Sequence, residues 1–201
     1  MGEPSRPELV LASASRFRRR LLEEAGVPVR VVPAEVDEPA LRRRLDGRDP
    51  AAIALALAEA KARSVSLQLR EALVIGADQV LALGRDILGK PRDLAEARAQ
   101  LEQLRSQSHA LPTAVALALE GSIVWRHVET PTLTMRAFSD VFLDCYFAAC
   151  GPDICQVVGA YEIEGRGILL FERIEGDIFT IIGLPLLPLL AELRRRGVID
   201  T

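Results

Sequence analysis

Only two of the 25 basic residues in this chain are lysines, Lys61 and Lys90. Lysine brings a compact charge suited to a single phosphate oxygen, whereas arginine brings a planar fork. The two exceptions therefore mark positions that call for an ammonium, unless an arginine-rich chain has kept two lysines by chance. Asp78 is the second candidate, a carboxylate inside "VIGADQV", the most apolar run of the chain. An unpaired charge there is costly, so Asp78 needs a cation or a metal, or else it sits at the strand's solvent end or in a structural ion pair. Gly76 and Ala77 leave the approach to it open. The third candidate is "LASASRF" followed by "RRRLLEEAG", four arginines within five positions of a chain whose net charge is -3. Backbone amides at a helix start face an anion well. Ser13 and Ser15 add hydroxyls, and Arg18 and Arg19 add charge-assisted contacts. In physics this is a phosphate cradle, although no Walker pattern is present; the plainer alternative is a serine-capped helix with a solvated basic face. Glu35, Asp37 and Glu38 form an acidic group, usable as magnesium ligands or as the cap of the following helix.

These residues must be positioned by strand ends and helix starts. "ELVLAS" reads as a short buried strand. "SRFRRRLLEEAG" reads as a helix capped by Ser15, burying Leu21 and Leu22 and stopping at Gly26. "VPVRVVPAEVDE" reads as a second strand. "DPAAIALALAEAKARSVSLQL" is an amphipathic helix opened by Asp49 and Pro50, with Lys61 near its middle. "ALVIGADQVLAL" reads as one central strand, turned at Gly84-Arg85-Asp86 towards "ILGKP". A helix over "DLAEARAQLEQLRSQ" precedes two strands around Glu120-Gly121 within His109 to Phe138. A helix from about Ser139 to Ala149, a strand pair "VVGAYEIEG" and "GILLFERIEGD", and a helix over "PLLPLLAELRRRG" complete the chain. Hairpins mixed with strand-helix-strand units predict an α/β fold with a mixed sheet flanked by helices. No linker, repeat or low-complexity segment divides the 201 residues, so residues 1–201 are expected to form a single domain.

Composition narrows the class of function. A chain of 201 residues with 49% hydrophobic residues can bury a sizeable core. No apolar run reaches the roughly 18 to 20 residues of a membrane span. "MGEPSRPE" lacks the apolar core of a signal peptide and only loosely matches a myristoylation signal, so a cytoplasmic location is expected. Cys145, Cys150 and Cys155 are too few for a disulfide framework and lie far from both histidines, so buried or half-buried reduced thiols are expected rather than a zinc site.

Together these features suggest nucleoside triphosphate chemistry, and the chain resembles the Maf family, also called septum formation inhibitors, which are nucleoside triphosphate pyrophosphatases. The resemblance rests on "LASxS" with a following "RR" and "LL", "GAD", "GKPRD", "HxxxTAVAL", "GAYxIEG", and "IEGD" with "GLPL", and covers about residues 9–197. It implies an inosine triphosphatase-like fold with two lobes around a nucleotide cleft. It implies that Asp78 is the catalytic proton acceptor, activating water for attack on the α-phosphorus. It also places Ser13, Arg18, Lys61 and Lys90 on the triphosphate and Glu38, with Asp78, at a divalent metal: magnesium, manganese or cobalt. A homodimer is expected, since the family often forms one.

Specificity is expected at three departures from the thymidine and uridine triphosphate branch. Phe17 stands in place of an arginine, Gln79 follows "GAD", and Glu164 stands in "IEG". All three resemble the branch acting on 7-methyl-GTP. A carboxylate accepts hydrogen bonds from guanine N1 and N2, and a phenyl face attracts a cationic N7-methylated purine. Core packing is the alternative for Phe17, and a plain surface strand position for Glu164. "LRSQSH", Arg16 and the Cys155-Gln156-Val157 segment also depart from the family pattern. The alternatives at the level of function are a dTTP/UTP-type pyrophosphatase and a non-enzymatic septation or nucleic-acid-binding role. The acidic balance and 4% aromatic content weigh against stable nucleic-acid binding.

Overall fold

The computed structural model describes residues 6–200. The first five residues, on which the signal-peptide and myristoylation readings largely rest, lie outside the described residues, as does Thr201. The α/β class expected from the sequence is what the structure shows, with the strands divided between two sheets.

The chain forms two compact units. The first comprises the described part of Met1–Gln79, Thr113–Glu129 and the described part of Gly183–Thr201. Its strands are β1 (Leu9–Leu11), β2 (Arg30–Val31), β3 (Leu73–Gln79), β7 (Thr113–Leu119) and β8 (Ser122–Glu129), in the order β2-β1-β3-β7-β8. β1 is parallel to both β2 and β3, and β7 returns antiparallel to β3, so the sheet is mixed. Its helices are α1 (Arg16–Glu24), α2 (Glu38–Arg44), α3 (Pro50–Gln68) and α7 (Leu186–Arg195). α3 packs on β3 and β7 through a face that buries Ile53, Leu57, Ala58, Lys61, Ala62 and Val65. Gly76 is what lets α3 lie so close. A Cβ there would meet the Ala58 carbonyl oxygen at 2.3 Å and the Ala62 nitrogen at 2.6 Å. The glycine thus serves helix packing rather than leaving the approach to Asp78 open, which corrects the expectation for that residue.

The second unit comprises Val80–Pro112 and Thr130–Ile182. Its strands β4 (Leu81–Leu83), β5 (Asp86–Leu88), β6 (Ser108–Ala110), β9 (Thr132–Met135) and β10 (Phe171–Glu175) form an antiparallel sheet in the order β10-β9-β6-β4-β5. α4 (Leu94–Leu104), α5 (Asp140–Cys150) and α6 (Ile178–Ile182) belong to it. Leu81, Leu101, Leu104, Leu111, Leu133 and Met135 are among the fully enclosed side chains of its core.

Several expected boundaries shift. "ALVIGADQVLAL" is two strands, because β3 pairs with β7 while β4 pairs with β6. At the changeover the Val80 N–H donates to the Pro112 carbonyl at 3.0 Å. Likewise the region from His109 to Phe138 supplies β6, β7, β8 and β9 rather than two strands. "VVGAYEIEG" is not a strand. Gly159 and Ala160 take positive φ, which breaks extended pairing, and the segment forms short 3-10 turns. α2 and α6 have no counterpart in the sequence reading. Among the cysteines, Cys155 is buried and Cys150 half-buried, but Cys145 is exposed.

Candidate active site

β1 and β3 are parallel neighbours, with Leu11 opposite Ile75 and the Ala12 N–H donating to the Ile75 carbonyl at 2.8 Å. Ser13 and Asp78 therefore lie at the same, carboxyl, end of the sheet, where open α/β sheets bind ligands. The short polar run after β1 turns directly into α1. Ser15 caps that helix from an extended conformation, its Oγ accepting from the Arg18 backbone N–H at 3.4 Å. Ser13, almost fully buried, accepts from the Ser15 N–H and from an Arg18 guanidinium N–H, both at 3.2 Å. The Arg18 Nε–H donates to the Gly183 carbonyl at 2.8 Å. Gly183 holds φ at 132°, a conformation that favours glycine, so this carbonyl is presented by a backbone other residues rarely adopt. Burial pulls the Arg18 pKa down, and the charges of Asp78 and Glu38 oppose that pull. The guanidinium thus feels the charge of two carboxylates while its fork is fixed by Ser13 and Gly183.

The carboxylate end is built from three elements. Lys61 comes from the buried face of α3, brought against β3 by the close approach at Gly76. Its Nζ donates to Asp78 Oδ1 at 2.6 Å and lies 2.9 Å from Glu38 Oε1. Glu38 and Arg42 stand four residues apart on α2 and so share a face. Arg42 donates to Asp78 Oδ2 at 3.2 Å. The result is a crossed network in which Glu38 of α2 meets Lys61 and Arg42 of α2 meets Asp78. Burial alone would raise the Glu38 pKa, but the Lys61 hydrogen bond and charge, with Arg42 and Arg18, hold it below the usual carboxylate range.

Of the expected site residues, the structure brings Ser13 and Arg18 together, and Glu38, Lys61 and Asp78 together. Phe17 is half-buried on α1, its ring 4.8 Å from the Arg16 guanidinium and 5.8 Å from that of Arg20, each measured to the ring centroid. Gln79 donates its side-chain amide to Thr113 Oγ at 2.9 Å. Lys90 and Glu164 belong to the second unit and are both exposed; Glu164 lies on a turn, not a strand. Arg42 was missed by sequence reading. Its signal is present in "DEPALR": Asp37 caps α2 by accepting from the Ala40 N–H at 2.9 Å, a proline follows, and Glu38 and Arg42 sit at helical spacing. Among the described residues no group of three or more His, Cys, Asp or Glu side chains forms a metal-binding cluster. Glu38 and Asp78 do converge on one cation, the Lys61 ammonium.

The family model for Maf-like proteins matches residues 8–196. A protein of Rhizobium meliloti (strain 1021) described as a 7-methyl-GTP pyrophosphatase is 50% identical over 197 residues, covering 97% of this chain and 99% of that one. One of Brucella abortus biovar 1 (strain 9-941), with the same description, is 48% identical over 96% of this chain and 98% of its own. A nucleoside triphosphate pyrophosphatase of Rhodospirillum rubrum (strain ATCC 11170) is 48% identical over 96% of each chain.

Proposed function

Since the chain belongs to the Maf-like protein family, we propose that it is a nucleoside triphosphate pyrophosphatase, hydrolysing the bond between the α- and β-phosphates. The observation that carries this reading is the convergence of Asp78 and Glu38 on Lys61, with the Arg18 guanidinium at the start of α1 held by Ser13 and Gly183 within the electrostatic reach of both carboxylates.

In this reading water attacks the α-phosphorus, its proton passes to Asp78, and the bond to the β-phosphate oxygen breaks to release pyrophosphate and the nucleoside monophosphate. Each oxygen of an ionised carboxylate has two acceptor sites. Asp78 can therefore keep Lys61 and Arg42 and still accept from water. Arg18, Ser13 and the amides of α1 receive phosphate charge, fixed beforehand by Gly183 and Ser15 so that little reorganisation is needed. Glu38 and Asp78 would hold the divalent cation. Two carboxylates are the usual protein share for magnesium when substrate phosphates and water complete the shell. When bound, magnesium, manganese or cobalt supplies charge neutralisation and an acidified water.

The substrate proposed is 7-methyl-GTP, as described for relatives about 45 to 50% identical. Phe17 already attracts two guanidiniums, which supports its affinity for a cationic purine. Glu164 is assigned to the guanine donors and Lys90 to the triphosphate by their place in the family motifs. No helix among the described residues is long and apolar enough to cross a membrane, and we assign the activity to the cytoplasmic pool of free nucleotides, with a homodimer as the assembly to be tested. The experiment is pyrophosphate release from 7-methyl-GTP, GTP, UTP and dTTP with each of the three metals. Wild type should release it from 7-methyl-GTP fastest and Asp78→Asn should not; wild type as inactive as the variant on all four would overturn the reading.

A further inference from the structure

Gln100 lies on the face of α4 that also buries Ala97, Leu101 and Leu104. It is only 7% exposed. Its Nε2–H donates to the Gly89 carbonyl at 3.0 Å, while its Oε1 has no hydrogen-bond partner among the described residues. A half-satisfied buried amide is a costly way to fill a position where methionine or leucine would pack. What the amide does is hold one carbonyl, and that carbonyl immediately precedes Lys90.

The other side of Lys90 is fixed as well. Pro91 restricts its own φ. Asp93 accepts from the Glu96 N–H at 2.8 Å, and Glu96 reaches back to accept from the Arg92 N–H at 2.9 Å, a reciprocal cap at the start of α4. The exposed Lys90 is thus carried on five linking residues, Gly89 to Asp93, whose backbone is tied to α4 before and after it. An exposed lysine on a loose loop would lose both backbone and side-chain entropy on taking up a phosphate. Tying the backbone removes the first of these losses.

We propose that Gln100 is a positioning residue for substrate binding, acting through the Gly89 carbonyl to hold Lys90 where it meets the triphosphate. This rests on the reading of Lys90 as a triphosphate contact. The test is a double-mutant cycle in the full chain, with 7-methyl-GTP and UTP as substrates. Gln100→Met, which keeps the volume and removes the donor, should raise KM about fivefold with kcat changed by less than about twofold, the size of one lost neutral hydrogen bond. In a Lys90→Ala background the same substitution should leave KM unchanged. Gln100→Asn, which keeps an amide too short to reach Gly89, should repeat the effect and serves if the methionine variant does not fold. A KM unchanged by both Gln100 variants, or an equal rise with and without Lys90, overturns the inference while leaving the Lys90 reading intact. A KM unchanged by Lys90→Ala alone overturns the Lys90 reading and the inference with it.

Discussion

Asp78 and Lys61 sit almost wholly out of solvent and 2.6 Å apart, so each is the other's compensation for lost hydration. Removing one leaves the other a single partner, Glu38 for Lys61 or Arg42 for Asp78. Asp78→Ala should lower stability by about 1 to 3 kcal/mol as well as abolish activity, which makes it a poor probe of chemistry. Asp78→Asn keeps a hydrogen-bond acceptor for Lys61, which also retains Glu38. It should stay folded and lose roughly 10²- to 10⁴-fold in kcat, the span of general-base contributions; paired thermal melts and initial rates separate the two effects. Glu164 is exposed, so Glu164→Gln should cost no more than the roughly 0 to 1 kcal/mol of a surface ion pair. The change should lower kcat/KM for 7-methyl-GTP relative to UTP by about tenfold or more, because a site built to accept two guanine donors loses one match. Equal ratios in wild type and variant would remove Glu164 from base recognition. His109 carries a prediction about pH. It is buried against Tyr161, its Nε2 2.8 Å from the hydroxyl, and burial pushes its pKa down to about 4. The unfolded chain takes up this proton near its ordinary value of about 6.5, the folded chain only near 4. The stability this neutral histidine contributes is therefore full above about 6.5 and lost as pH falls towards 4, by about 3 kcal/mol. Urea midpoints of wild type and His109→Gln should diverge across that window, with the variant less acid-sensitive.

At the scale of elements, the site depends on how closely α3 lies on β3. Gly76→Ala places a methyl against the α3 backbone at Ala58 and Ala62, and nothing flexible is there to yield. The substitution should cost about 1 to 3 kcal/mol. Because Lys61 and Asp78 come from these same two elements, it should also lower kcat more than a surface substitution of equal stability cost. The comparison to make is activity against melting temperature across both variants. Ser15→Ala tests the other element. It removes the cap of α1 and should cost about 1 kcal/mol, while also loosening the fork of Arg18 that reaches Ser13 and Gly183. α2 is different in kind. It buries no residue, and the ion pairs of Glu38 and Arg42 are prominent among its ties. A helix without a buried face leaves no hydrophobic period to read, which is why α2 and Arg42 escaped the sequence while α3, with its apolar stripe, did not.

Across the whole molecule, the chain passes between its two units four times, after Gln79, Pro112, Glu129 and Ile182. β3 finds its antiparallel partner β7 only after a segment of the second unit has been traversed. A fragment ending at Gln79 should therefore leave β3 as an open, apolar edge and fail to fold as a discrete species, which size exclusion and circular dichroism would show. The sequence by itself determined the local parts. Ser15 and Gly26 bracket α1, Asp49 and Pro50 open α3, and the glycine-containing turns mark the hairpins, because caps, turns and periodicity are written in neighbouring residues. It also singled out Asp78, Lys61 and Arg18 by chemistry alone, since a buried carboxylate, a rare ammonium and a helix-start guanidinium stand out wherever they occur. Only the tertiary structure decided that Lys61 is the ion-pair partner of Asp78, that Glu38 shares it and that Arg42 completes the network. Those pairings depend on contacts between residues 17 to 36 positions apart. Such contacts are fixed by strand order and by the approach of α3 at Gly76, and no local pattern encodes them. The same holds for the division of "ALVIGADQVLAL" between two sheets: both parts read as buried strand, and only their partners, β7 and β6, tell them apart.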